Sequence, residues 1–321
     1  MDYAPRGATI VQSAALGAAS EVAMRLRHRA DLRTLLYAFV LMPGLPVLQY
    51  AAPSLLGWLL PAQLYLGFLG GVIAHNHNHS PTFDNRRTNA WFSAWMSIWY
   101  GVPIFGWIPT HNQNHHKFLN GPGDTTITWR YFRRNSALSL LSYFFVSNRF
   151  QGPSIRAYVQ HARREHPALL REIALQIATL LSAHALMLGA ALARSGLRAG
   201  LMLYGVAFLA QSLYAWWAMY FINFVQHVDC DPSSRYDHSR NFVGKLGNWL
   251  TFNAGYHTAH HERAGLHWSK LPELHRELAP HIDPRLNEPS LLWFTFRTYL
   301  LAPLLPRLNT RLIGPAPWEV I

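Results

Sequence analysis

Residues 34–74 read TLLYAFVLMPGLPVLQYAAPSLLGWLLPAQLYLGFLGGVIA, 41 residues without a charged side chain. Wound as one helix at 1.5 Å per residue, the stretch would measure roughly 60 Å, about twice a hydrocarbon core. It therefore divides into two membrane spans, about 34–50 and 54–74. Ala51-Ala52-Pro53-Ser54 supplies the turn, because proline starts turns and disfavours helix in the residue before it. A third charge-free stretch covers 174–193 and a fourth about 201–224. The expected fold class is all-α: four transmembrane helices in two hairpins. The expected organisation is a cytosolic segment 1–33, a membrane domain 34–275 and a cytosolic or interfacial tail 276–321.

Composition agrees with a membrane protein. Half of the chain is hydrophobic and only 14% is charged, where soluble domains carry about 25%. Disorder needs the opposite balance. The single cysteine, Cys230, excludes a disulfide framework and a cysteine-based zinc site. The opening MDYAPRGATIVQSAALG lacks a basic start before an apolar core, so no signal peptide is expected.

Charge placement orients the spans. Five Arg precede Thr34, the stretch 75–172 carries 11 Lys and Arg against 4 Asp and Glu, and the turn at 51–54 carries none. Positive loops stay in the cytoplasm, which puts both termini and the middle loop inside. The net charge of +12 is explained by topology and requires no nucleic acid. With 25 Arg against 3 Lys the composition fits a GC-rich bacterial genome, and hence a bacterial inner membrane. Trp91–Pro109 and Ser290–Pro306 are too broken by Gly and Pro for spans. Either lies at the membrane interface or packs into a cytoplasmic cap.

Eighteen histidines exceed any structural need, and three clusters stand out: His75-Asn-His77-Asn-His79, His111-Asn-Gln-Asn-His115-His116 and His257-Thr-Ala-His260-His261. Residues i and i+4 share a helix face, and neutral imidazole is the commonest metal ligand. The pairs His75/His79, His111/His115 and His257/His261 can each grip a metal. Their neighbours His116 and His260, about 100° further round a helix, reach a second metal beside the first. With 18 His in 321 residues, H-x-x-x-H arises about once by chance, but H-x-x-x-H-H only about 0.06 times. His77 projects about 200° from His75 and is left out. His28, His161, His166, His238, His275 and His281 are read as surface or core residues, His184 as bonded to a neighbouring helix, and His267, on a different face from the third cluster, is left out of the ligands. Carboxylates able to orient the imidazoles through their other nitrogen are Asp124, Asp229 and Glu262. Trp129, Trp249 and Trp268 either line a tunnel or fill the cap.

The trio H-x-x-x-H, H-x-x-x-H-H and H-x-x-H-H, set after the second and fourth hydrophobic spans, resembles the membrane fatty acid desaturase/hydroxylase superfamily. The resemblance covers roughly 34–275. It implies a cytosolic helical cap over the spans, two iron ions held there by the histidines, and O2 as co-substrate. Asn223-Phe-Val-Gln-His227 matches the N-x-x-x-H element of acyl-CoA desaturases, which implies His227 as a ninth ligand and Asn223 as an outer partner. The family's haem segment with its H-P-G-G signature is absent, implying a separate electron donor of ferredoxin or cytochrome type. The expected activity is an oxidoreductase that places a double bond in a lipid acyl chain. Hydroxylation or ketolation of a lipid or carotenoid by the same site is the alternative. A metal-handling membrane protein without enzymatic activity is a more distant one, since a transporter carries ligands at mid-membrane, where only His184 sits.

Overall fold

The computed structural model describes residues 25–319, so the start of the chain read for a signal peptide lies outside the described residues. In chain order the helices that position the site begin with α1 (Arg29–Ala51) and α2 (Pro53–His79). Next come α3 (Arg86–Tyr100), α4 (Ala137–Glu165), α5 (Pro167–Tyr204) and α6 (Ala210–His227). Three short helices follow, α7 (Lys245–Leu250), α8 (His257–Glu262) and α9 (Leu271–Leu278). The strands among the described residues are two parallel dipeptides, Asn241–Phe242 and Asn287–Glu288.

Among the described residues, three helical runs are long and apolar enough to cross a membrane: α1, α2 and the 61-residue run Pro167–His227. The break between α1 and α2 falls at Ala52, which is non-helical at φ −130° and ψ 79°. The long run is not straight. Gly196 has φ 71° and ψ −176°, a conformation open to glycine at little cost. The chain then folds back: a Cβ on Gly200 would stand 2.6 Å from the Ala191 carbonyl oxygen. His184 Nδ1 lies 2.8 Å from the Tyr204 hydroxyl across the same fold.

Apolar burial alone does not hold spans together in lipid, so close backbone approach and hydrogen bonds matter. The α1–α2 hairpin is tied by Gln49 Nε2 donating to Gln63 Oε1 at 2.8 Å. Gln63 in turn donates to the Val206 carbonyl at 2.9 Å. Gly67, Gly70 and Gly71 form a seam on α2. A Cβ there would press on Gln211, the Trp99 backbone and Met219 respectively. This seam lets α6 and α3 close on the histidine-bearing end of α2.

The two aromatic stretches behave differently. In α3, Phe92, Met96, Trp99 and Tyr100 are buried in the core, and Trp95 donates to the Ala38 carbonyl. Between residues 291 and 305, Phe294 and Tyr299 are buried, whereas Leu292 and Leu304 are each 81% exposed. The first stretch is packed and the second keeps an apolar outer face.

Replacing Gly70 with Ala should destabilise the detergent-solubilised protein by about 1–3 kcal/mol, the usual cost of overpacking. Gly57→Ala, with open space around its Cβ, should leave the melting temperature unchanged or slightly raised. Equal melting curves for both variants would remove the seam from the account.

Candidate metal centre

Nine histidines meet at one end of the helices. His75 and His79 stand on the last turns of α2, and His227 is the final residue of α6. His111, His115 and His116 come from the segment 108–118, and His257, His260 and His261 from α8. The side chains divide into two groups. His75, His79, His111, His116 and His260 form one, and His115, His227, His257 and His261 the other, with ring nitrogens within 4.8 Å of one another in each.

The partition corrects the expected pairing. His75/His79 and His257/His261 stay together, but His111 and His115 separate. The cause is local winding. Ile108–His115 is a π-helix, whose i→i+5 bonds place more residues in each turn than an α-helix holds. His116 therefore comes round to His111, with Nε2 atoms 3.1 Å apart. His115 is delivered to the other group, 3.1 Å from His227 Nε2.

The chemistry of these contacts identifies what fits between them. His115 Nδ1 lies 2.7 Å from Asp124 Oδ2, and His227 Nδ1 lies 3.0 Å from the His238 carbonyl oxygen. Both outer nitrogens face acceptors and so carry the proton. A neutral imidazole has one N–H, so both Nε2 atoms present lone pairs to each other across 3.1 Å. A cation resolves that repulsion. Metal–nitrogen bonds of about 2.1 Å at right angles would set neighbouring nitrogens about 3.0 Å apart. The contacts His227–His257 at 2.9 Å, His257–His261 at 3.0 Å and His116–His260 at 3.0 Å match that spacing. The donor set fits two metal ions.

Electrostatics keeps the donors available. Burial first, then crowding by the other imidazoles, holds His111, His116, His257, His260 and His261 well below their ordinary pKa. At physiological pH they are neutral, and each keeps a nitrogen lone pair free. Burial alone would raise the Asp124 carboxyl. The adjoining His115 and hydrogen bonds from His115 and Thr126 overcome this and hold it well below the usual carboxylate range. The Asn120 amide, at 2.8 Å, and the Thr126 hydroxyl, at 2.6 Å, fix the carboxylate. Leu119 and Asn120 adopt positive φ of 47° and 66°, turning the chain back to bring Asp124 under His115.

Of the other outer partners read from sequence, none reaches an imidazole. Asp229 accepts from the Thr310 hydroxyl. Its own φ of 58° turns the chain away from His227. Glu262 pairs with Arg235 at 2.5 Å on the outer side of α8. Asn223 donates to the Tyr143 hydroxyl at 2.6 Å and faces a cavity. His77 bonds Thr82 and Ser93, at 3.0 and 3.1 Å, outside both groups. His267 pairs with Asp31 at 3.1 Å, also apart from them. Sequence reasoning missed the His238 carbonyl, since a main-chain acceptor leaves no sequence signal. It also missed Trp107, whose ring packs on His75 and His111 at 5.3 and 5.1 Å.

A largely apolar cavity of about 300 Å³ opens beside the histidines, touching His75, His111, His115, His257 and His260. Trp107 and Trp216 line it; Trp129, Trp249 and Trp268 do not. Trp129 donates to the Asn120 carbonyl, Trp268 to Asp31, and Trp249 is 61% exposed.

Comparison with known proteins agrees with this geometry. Residues 50–290 match the family model described as fatty acid desaturase. The human sphingolipid delta(4)-desaturase/C4-monooxygenase DES2 is 25% identical over 237 residues, covering 70% of this chain and 68% of the relative. The sphingolipid delta(4)-desaturase of Komagataella phaffii is 27% identical over 218 residues, 62% of this chain and 55% of the relative. The Candida albicans sphingolipid delta(4)-desaturase is 40% identical over 60 residues, 17% of this chain and 16% of the relative. No solved structure matches. With helices able to cross a membrane, two histidine groups and a family match over three quarters of its length, this chain belongs to the fatty acid desaturase family, oxidoreductases of the lipid desaturase or hydroxylase type.

Proposed function

We propose that the protein is an O2-dependent di-iron desaturase that removes two hydrogens from adjacent methylenes of a lipid acyl chain. The observation that carries the reading is the pair of facing imidazole groups opening onto one apolar cavity. One group, His75, His79, His111, His116 and His260, would hold the first iron, and His115, His227, His257 and His261 the second. Imidazole sets suit several metals, and iron follows from family membership. When bound, the irons supply reduction of O2 and the power to break an unactivated C–H bond. The balance is one –CH2–CH2– unit, O2, two electrons and two protons giving –CH=CH– and two waters.

The chain's own residues do the rest. The cavity walls exclude water and align the acyl chain. Asp124 fixes the tautomer of His115, and Trp107 holds the rings of His75 and His111. The electrons come from a separate carrier of ferredoxin or cytochrome type. We place the centre on the cytoplasmic face of a bacterial inner membrane. Four spans in two hairpins, with Gly196 as the second turn, lie within a unit spanning 34–275 and topped by a helical cap. Charge bias and the Arg-rich composition support this placement.

Hydroxylation by the same centre is the second reading, favoured by the paired desaturase and monooxygenase activities in the human relative's name. The deciding experiment supplies purified protein, a reducing carrier, O2 and neutral and charged acyl lipids, with products weighed by mass spectrometry. A product lighter by two hydrogens supports the double bond. A product heavier by one oxygen overturns it in favour of hydroxylation.

Metal analysis should find about two irons per chain. His115→Ala or His261→Ala should abolish turnover and lower bound iron, while His281→Ala should change neither. Asp124→Asn keeps the shape but loses the charge, and should cost about 10–100-fold in activity or metal affinity. Full activity in His261→Ala would exclude the shared centre. In a Cys230→Ser background, cysteine placed at Ser54 should label only from outside and cysteine at Arg307 only from inside. The reverse pattern would invert the topology.

A further inference from the structure

A smaller cluster of ligand-type side chains lies away from the nine histidines, at the corner where α4 meets α5. His161, Glu165 and His166 each offer a ligand atom there, and those atoms lie within 4.8 Å of one another. His161 and Glu165 are four residues apart at the end of α4 and so share one face. His161 Nδ1 stands 3.3 Å from Glu165 Oε2. On an unbroken helix His166 would not join them, because residues five apart are about 140° apart round the axis. Pro167 changes that. Proline disfavours helix in the residue before it, and His166 leaves the helix at φ −132° and ψ 75°. Its ring comes back beside His161, with centroids 4.6 Å apart and planes at 65°. His115 and His227, which share one of the two groups in the nine-histidine centre, stand 4.6 Å apart at 85°.

Two features of the corner favour a cation. Glu165 is the final residue of α4, where the partial negative charge of a helix end disfavours a carboxylate and attracts a positive ion. Arg163 and Arg164 are close to it in the chain, yet among the described residues its ion pair is with His161. The donor set then selects the ion. Two imidazoles and one carboxylate are a ligand set of zinc, with a water completing the tetrahedron. Magnesium and calcium take oxygen ligands instead. All three side chains are exposed, so an ion reaches them directly from solvent. Beneath them Phe105, Ala162 and Ile173 form a small core, and Phe105 also lines the cavity.

We propose that His161, Glu165 and His166 form a further metal site, separate from the nine-histidine centre, which takes one divalent ion of the zinc class. His161 and Glu165 alone would only bridge one turn of α4. Adding His166 ties that turn to the start of α5, so the bound ion pins the corner between the two helices over Phe105. The proposal is independent of which reaction the nine-histidine centre performs.

Zinc binding tests this apart from turnover. Iron-loaded protein carrying no histidine tag is dialysed against graded Zn2+ in excess Mg2+, and bound zinc and iron are counted by elemental mass spectrometry. The intact chain should take up about one zinc more than the double variant His161→Ala/His166→Ala, with iron content equal in both. Each single histidine variant should weaken zinc binding at least about tenfold, since loss of even an outer partner costs about 10–100-fold. Zinc should raise the melting temperature of the intact chain and leave that of the double variant unchanged, because an ion that binds the folded form stabilises it. Equal zinc uptake by the intact chain and the double variant would overturn the proposal. So would zinc that enters only in exchange for iron, or zinc that excess Mg2+ displaces. Uptake with no rise in melting temperature would overturn the pinning of the corner.

Discussion

The facing Nε2 atoms of His115 and His227, 3.1 Å apart with both outer nitrogens on acceptors, are the constraint on which the rest of the structure depends. In an apolar interior such an arrangement is unfavourable until a cation fills it. Every element near the site serves to hold the rings there. The glycine seam on α2 brings His75 and His79 against α6 and α3. The Asn120–Asp124 turn and the His238 carbonyl fix which nitrogen carries the proton on His115 and His227. Orientation comes from these outer contacts, as is general for histidine ligands.

Much of this was legible in the sequence because its signals are periodic or rare. A charge-free stretch of 41 residues is a membrane signal by length alone. The H-x-x-x-H-H and H-x-x-H-H clusters are improbable by chance, and all nine histidines read as ligands do converge. The separation of His111 from His115 was not legible, because residues i and i+4 share a face on an α-helix and this segment is π-wound. The carboxylates show a related limit. Asp229 and Glu262 are close to ligand histidines in sequence, yet a positive φ turns one away and Arg235 draws the other outward. Asp124 is nine residues from His115 and reaches it through a turn. Nearness along the chain does not fix direction.

The fold-back at Gly196 bears on the same point. Two apolar stretches, 174–193 and about 201–224, follow one another within the helical run Pro167–His227. Backbone torsion at one residue, with Gly200 pressed on Ala191, separates them. That reversal returns α6 alongside α2, so the last residue of one and the last turns of the other end at the same level. The site is built where helices finish, because there side chains from several directions can face a common point.

His115 and His116 are neighbours in the chain but belong to different groups, and the same holds for His260 and His261. The two histidine groups are thus joined by two peptide bonds. Once one group is ordered, the backbone on either side of those bonds is already fixed, and the entropy of arranging the second group has largely been lost. The order of one group thus constrains the other through shared backbone.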